Sequence, residues 1–450
     1  MRVPCGGGGT LVALHPLSDM AETGPHRSRT IALAVVIALL IVVAAFLVAA
    51  YRPPIPRIKV PARASFDPQL VDRGAALARI GNCQSCHSAP NGSSYSGGVP
   101  IRTVFGTIYG SNITPDPRHG IGNWSLAAFT RAMRKGVARD GSHLYPAFPY
   151  DHFTRLSDGD IAALYAFVMT LAPAATDPPA NHLVPPLGVR PLIAAWKWIE
   201  FKPASITRDP AHDDMWNEGR YLVDALAHCG SCHTPRNGLQ AEDRARRFDG
   251  AMIDGWYAPP LNVRSPAVRA WTTDRLEIYL RTGLDPHHAA AAGPMRDVAT
   301  NLARAPVPAV HAIATYIADG MVTAPAARIE PPLIDRGALA ARQFPEGATL
   351  FAGACATCHE PGAGMIVAGR PQLPLGTPLH EDNPRDVIQI ILNGLQPPVG
   401  PRGPYMPAFA DTLTDAEIAQ LVGYLHARYG NGARWDGLEK AIADARKVKR

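Results

Sequence analysis

The hydrophobic pattern of this chain changes character once. From Ile31 to Ala50 it reads IALAVVIALLIVVAAFLVAA, without a charge. About 20 such residues cross the hydrocarbon core of a bilayer as a helix, so the pattern predicts a transmembrane anchor at 31–50. A cleaved leader is the alternative, with Val48, Ala49 and Ala50 as its small-residue site, although the run exceeds a usual signal core. Arg27 and Arg29 precede the run, while Arg52, Arg57, Lys59 and Arg63 follow it, so flanking charge leaves the orientation open. Residues 1 to 19 do not look like a targeting segment, whereas a tidier one begins at Met20, so Met1 and Met20 stand as alternative starts.

Beyond the span the pattern becomes amphipathic and repeats. Three segments open on a charged residue and glycine, RGAALARIGNC from Arg73, EGRYLVDALAHC from Glu218 and EGATLFAGAC from Glu346, and their small residues predict close helix approach. A later helix follows each one, at 158–169, 307–317 and 414–429, with apolar residues at i, i+3 and i+4 and Tyr165, Tyr316 and Tyr424 expected at the contact. Thr414 with Glu417 makes a capping box. Between them lie 124–136, 271–283 and 383–394, with Ser125, Thr272 and Asn383 as N-caps and Gly136, Gly283 and Gly394 as C-caps. The repeat predicts three copies of one small helical domain. With 44 prolines and 40 glycines, long loops should join a few helices, and a large parallel sheet is not expected.

The cysteines give the repeat its chemistry. Cys83 and Cys86 precede His87, Cys229 and Cys232 precede His233, and Cys355 and Cys358 precede His359. Two thiols at this spacing reach the two vinyl groups of one porphyrin, and the adjacent imidazole serves as proximal iron ligand. A thioredoxin-like pair or half a zinc site would explain one such string. Three strings that use every cysteine after the span predict three covalently bound haem c groups, and Cys5 is left without a role. Because haem is attached to such motifs outside the bacterial cytoplasm, residues 52–450 are expected in the periplasm of a bacterial inner-membrane protein.

Counting on from the capping glycines locates the other axial ligands. Twelve residues after Gly283 is Met295, and twelve after Gly394 is Met406. A thioether is a soft neutral ligand for haem iron that raises its potential, so Met295 and Met406 are the predicted distal ligands. Met133 and Met169, on helix faces, read as core filler. Twelve residues after Gly136 is Phe148, which cannot bind iron. His152 is the preferred distal ligand of the first haem, His143 or an open iron the alternatives, and two imidazoles would make this the low-potential haem.

Taken together, these residues resemble the membrane-bound triheme cytochrome c subunits of bacterial periplasmic dehydrogenases, from about Phe66 to Tyr429. FGTIYGSNITPDP (105–117) and GNWS (122–125) look like the cytochromes of quinoprotein alcohol dehydrogenases and flavin-dependent gluconate dehydrogenases. HLYPAFPYDHFT (143–154) and GLDPHHAAAAGPM (283–295) look more like the cytochromes that accompany molybdenum hydroxylases of the isoquinoline, nicotinate and aldehyde oxidoreductase type. The resemblance implies a mainly α fold of three tandem class-I-like cytochrome c domains with long loops, preceded by one transmembrane helix. It implies molybdopterin and iron–sulfur partner subunits, and electrons that leave to membrane ubiquinone or a terminal oxidase. A quinoprotein or flavin dehydrogenase partner, or a multihaem enzyme with an open first haem, is the alternative.

The expected organisation is a cytoplasmic N-terminus at 1–30, the anchor at 31–50, cytochrome domains at 66–175, 213–322 and 341–430, linkers at 176–212 and 323–340, and a tail at 431–450. In the first linker Trp196, Trp198 and Phe201 stand beside Lys197 and Lys202, and read as a connector between domains or as a membrane-surface patch near a quinone. No nucleotide-binding fingerprint, catalytic triad or paired carboxylates stand out, so no catalytic residues are assigned and this chain is expected to conduct rather than oxidise substrate. A net charge of +6 comes without a basic stripe interleaved with aromatics, so no nucleic-acid partner is expected.

Overall fold

The computed structural model describes residues 25–322, 332–367, 369–395, 405–431 and 434–447. Met20 and much of the second linker lie outside them. The chain divides into Met1–Tyr51 and Arg52–Arg450. Within the first unit Pro25–Ala50 is one helix, and its stretch Arg29–Ala50 is long and apolar enough to cross a membrane.

The second unit is built on a helix crossing made three times. Pro68–Ile80 meets Asp158–Met169, Asp214–Tyr221 meets Val307–Met321, and Pro345–Leu350 meets Asp415–Tyr429. Each crossing is made possible by a glycine. A Cβ on Gly74 would overlap the Ala163 carbonyl, one on Gly219 that of Ala312, and one on Gly347 that of Gln420. Four residues beyond these carbonyls the facing ring is Phe167, Tyr316 or Tyr424, whose Cβ lies 2.7, 2.9 and 2.9 Å from the same built position. Tyr165 is therefore not the counterpart of Tyr316 and Tyr424. Its hydroxyl instead donates to the Trp124 carbonyl at 2.8 Å.

The third helix of each repeat starts and stops much as its caps dictate. Ser125 accepts from Ala128 N–H ahead of Leu126–Lys135, and Thr272 from Arg275 N–H ahead of Thr273–Thr282. Both helices end on a left-handed glycine, Gly136 (φ 56°) and Gly283 (φ 72°), where a side chain would be strained. In the third copy, Arg385–Asn393, Pro384 takes the cap position and Asn383 Oδ1 accepts from Arg385 N–H at 3.1 Å. The capping box at Thr414 and Glu417 is present. Strands among the described residues are short and antiparallel.

The repeats share cores unequally. The first two pack on one continuous cluster that runs from Leu77 through Leu164 and Val223 to Met321, while the third has its own, centred on Ile388, Ile418 and Val422. The expected tail belongs to this third core. Leu438–Arg446 is a helix whose Ile442 is fully buried, and Trp435 donates from Nε1 to the Glu381 carbonyl at 3.1 Å. The first linker is a connector that binds the first two repeats. Trp196 donates to the Leu239 carbonyl at 2.8 Å, and Lys197 turns inward to donate to the carbonyls of Lys135 and Gly136 at the end of Leu126–Lys135. Trp198 stays half exposed.

Candidate haem centres

Each cysteine string folds into a short helical turn, Cys83–His87, Gly230–His233 and Ala356–His359. Residues three apart on a helix share a face, which directs both thiols of a pair the same way. No disulfide joins any of the six, and before any attachment burial keeps the thiols protonated, pushing Cys83 and Cys229 up to about 12 and Cys232 and Cys355 up to about 11.

The imidazoles that follow are oriented from behind. His87 Nδ1 bonds the Ser111 carbonyl at 2.6 Å and His233 Nδ1 the Pro259 carbonyl at 2.7 Å. A carbonyl only accepts, so Nδ1 carries the proton and Nε2 is left with a lone pair suited to iron. Burial lowers the pKa of His87, His233 and His359 alike, which keeps the rings neutral. His359 differs in one respect: its Nδ1 is buried without a hydrogen-bond partner among the described residues.

The third string opens onto a cavity of about 330 Å³ that shows what the site can hold. Cys355, Cys358, His359 and Met406 all line it, so both predicted axial ligands of the third haem come together there. The remaining lining is largely aliphatic and aromatic, as the face of a macrocycle requires, and the charged side chains among it are the cationic Arg296 and Arg370, as its two carboxylates require. The residues present fit haem. In the second repeat Met295 opens the helix Gly293–Leu302 and packs, with Cys229, against the shared core.

The first repeat does not follow suit. Phe148 packs edge-on against Phe153 at 5.3 Å. His152, the expected ligand, is held by two partners: Nδ1 donates to the Asp224 carbonyl at 2.8 Å and Nε2 to Glu242 Oε1 at 2.7 Å. Burial works against charge on this ring, and the Glu242 carboxylate outweighs it, so the pKa of His152 is raised and that of Glu242 falls to about 2. Both ring nitrogens of His152 are thus bonded to acceptor oxygens, and the ring pairs with Glu242 across the two repeats. Asp151 stands beside the pair, with ligand-type atoms of Asp151, His152 and Glu242 all within 4.8 Å of one another. His143 is also engaged, with Nδ1 3.3 Å from Lys197 Nζ.

Sequence reading misses the partners that do this. Asp224 and Glu242 lie in the second repeat, so the His152 clamp joins two repeats and leaves no local signature. His228, next to Cys229, is another such residue. It packs edge-on against Phe153 at 5.7 Å, and burial, assisted by the His152 charge, depresses its pKa to about 4. Its positive φ of 43° is invisible to any count of spacings.

Comparison with known proteins accords with this geometry. Residues 71–172 match the family model for cytochrome c, and residues 342–425 that for cytochrome C oxidase, cbb3-type, subunit III. The chain is 36% identical to the fructose dehydrogenase cytochrome subunit of Gluconobacter japonicus, over 82% of each chain. It is 36% identical to the gluconate 2-dehydrogenase cytochrome c subunit of Pantoea cypripedii, over 84% of this chain and 90% of the relative. It is also 39% identical to a nicotinate dehydrogenase subunit of Pseudomonas putida over 88% of this chain, which spans only 33% of that longer protein. With thiol pairs, oriented imidazoles and relatives in agreement, the chain belongs to the cytochrome c subunits of membrane-associated dehydrogenase complexes, and it is an electron-transfer subunit with covalently bound haem c.

Proposed function

We propose that this subunit carries three haem c groups and conducts electrons from a periplasmic dehydrogenase, of the molybdenum hydroxylase type, to ubiquinone or an oxidase in the membrane that holds its N-terminal helix. The observation that carries this reading is the threefold recurrence of one unit: a glycine-mediated crossing, a thiol pair on one helical turn, and a following histidine. The expected domain limits, 66–175, 213–322 and 341–430, each enclose one such unit. Haem iron, when bound, takes up and releases one electron at a time. The protein's part is to fix, shield and tune. Cys83 and Cys86, Cys229 and Cys232, and Cys355 and Cys358 each add two S–H groups across two vinyl groups, forming thioethers. His87, His233 and His359 supply neutral nitrogen, and Met295 and Met406 supply sulfur to the second and third irons.

The molybdenum partner is supported by the Phe148 string and by the likeness to a nicotinate dehydrogenase subunit. Metal analysis of the complex purified through this chain tests it. About one molybdenum per chain is expected, whereas pyrroloquinoline quinone or flavin without molybdenum would transfer the reading to an alcohol or gluconate dehydrogenase complex.

A second reading has its own observation. Both nitrogens of His152 are bonded to protein oxygens and His143 is bonded to Lys197, which supports an open first iron beside Phe148. An open first haem would bind small ligands and could do chemistry of its own. Carbon monoxide added to the reduced protein decides: one equivalent bound per chain supports the open site, and none returns the first haem to a pure conductor.

A further inference from the structure

The helix Gly293–Leu302 occupies a place that its sequence does not disclose. Met295 in its first turn faces the core shared with Cys229. One residue on, about 100° round the helix, Arg296 lines the cavity that holds Cys355, Cys358 and His359, and Ala299 lines it from the next turn. At the far end Asn301 donates to Asn82 Oδ1 and, at 3.4 Å, to Ser85 Oγ, on the segment that bears the first thiol pair. Asp297 is near enough to Cys86 to act on its thiol electrostatically.

His288 reaches the same cavity from the hairpin of Leu284–Asp285 and Ala289–Ala290. It is 0% exposed, its Nδ1 bonds the His287 carbonyl at 2.9 Å, and its Nε2 has no partner among the described residues. A buried, unsatisfied nitrogen is unfavourable unless a ligand completes it. Thr377 N–H donates to the His288 carbonyl at 2.9 Å, so this hairpin is tied to the third repeat.

Haem brings two carboxylates, which are costly to bury without cationic or hydrogen-bonding partners. The third repeat supplies Arg370 from its own residues, and among the described residues no carboxylate lines the cavity. The other charged lining group, Arg296, and the unsatisfied imidazole of His288 both come from the second repeat. Nε2 of His288 is an acceptor when Nδ1 holds the proton, and a carboxyl group that shares its proton with Nε2 satisfies both.

We propose that Arg296 and His288 bind the carboxylate edge of the haem attached at Cys355 and Cys358, so that the helix Gly293–Leu302 touches all three haem sites and the second domain is their junction. Adjacent residues of one helix then serve two haems: Met295 as distal ligand of the second and Arg296 as carboxylate clamp of the third. This inference rests on the three-haem reading above.

The test uses full-length, detergent-purified protein. Haem content by intact mass comes first: three in the wild type and two in the Cys355→Ala, Cys358→Ala variant. Two in the wild type would sink the three-haem reading itself. Spectroelectrochemical titration then identifies the third haem as the wave missing from the double variant. Removing a cation beside a haem disfavours the added electron, so Arg296→Gln should shift that wave to lower potential and leave the other two in place. Arg296→Lys, which keeps the charge, should restore most of the shift, and His288→Gln should lower the same wave by less. A third-haem wave unmoved in both Arg296→Gln and His288→Gln overturns the proposal, as does a shift that lysine does not restore.

Discussion

The first and second repeats are built alike up to their capping glycines, Gly136 and Gly283, and part company twelve residues later. In the second repeat the chain delivers Met295 at the start of a ten-residue helix. In the first it delivers Phe148, then the single turn Tyr150–Phe153, whose His152 bonds Glu242 of the second repeat. One frame thus serves two ends. It presents the proposed thioether ligand in one copy and a histidine–glutamate clamp in the other, and the loop after the glycine decides which. The proximal sides stay equivalent, each imidazole held by a backbone carbonyl, so the difference between the two sites is confined to the distal face.

The comparison can be broken at its frame first. A leucine at Gly219 would meet the Ala312 backbone, which cannot yield as a side chain can, and should cost more than about 4 kcal/mol. Gly74→Leu should do the same against Ala163. Thermal unfolding followed by circular dichroism, with haem incorporation measured alongside, checks both, and a variant that keeps wild-type stability and haem would show that the crossings are not alike.

The distal faces can then be exchanged. Phe148→Met should give the first iron a thioether, raise its potential by an amount on the order of 0.1 V within the ~0.8 V range open to axial ligands, and abolish any carbon monoxide binding there. Met295→Phe should do the reverse at the second haem. Potentiometric titration of both variants reads the result, and an unmoved first haem in Phe148→Met would mean that its distal ligand comes from elsewhere.

What the first repeat gains in place of a ligand is measured by Glu242→Gln. Removing one partner of a buried ion pair costs about 3–5 kcal/mol. The pH dependence carries a sign. Glu242 is depressed from 4.5 to about 2, so its contribution is present above 4.5 and lost as pH falls towards 2. His152 is raised above 6.5, so its contribution is complete below 6.5 and lost as pH rises through its folded value. Stability from the clamp should therefore peak between about pH 4.5 and 6.5, and calorimetry of Glu242→Gln should show that peak flattened. The smallest effect belongs to the third repeat, where Thr414→Ala removes the capping box and should cost about 1 kcal/mol in chemical denaturation.

Much of this architecture is legible in the sequence alone. Caps at Ser125, Thr272 and Thr414 and the glycines that end two helices are local signals, and the thiol pairs carry their chemistry in their spacing. The errors fall where local pattern stops. Tyr165 pairs by pattern with Tyr316 and Tyr424 because all three are tyrosines in like helices, whereas the crossing glycine selects Phe167. The stretch after Gly430 reads as a charged helix or tail; the helix Leu438–Arg446 forms there, and what local pattern does not show is that Trp435, Ile442 and Ala445 pack into the third core. The bonds from His152 to Asp224 and Glu242 are hidden because those partners lie far along the chain. The same distance hides the approach of Arg296 and His288 to the third site.

Intact mass spectrometry of the purified holoprotein tests the central claim most directly. Three covalent haem additions are predicted, with one lost each time a cysteine pair, Cys83 and Cys86, Cys229 and Cys232, or Cys355 and Cys358, is replaced by alanine. Two additions in the wild type, or a pair whose replacement leaves the mass of bound haem unchanged, would contradict it.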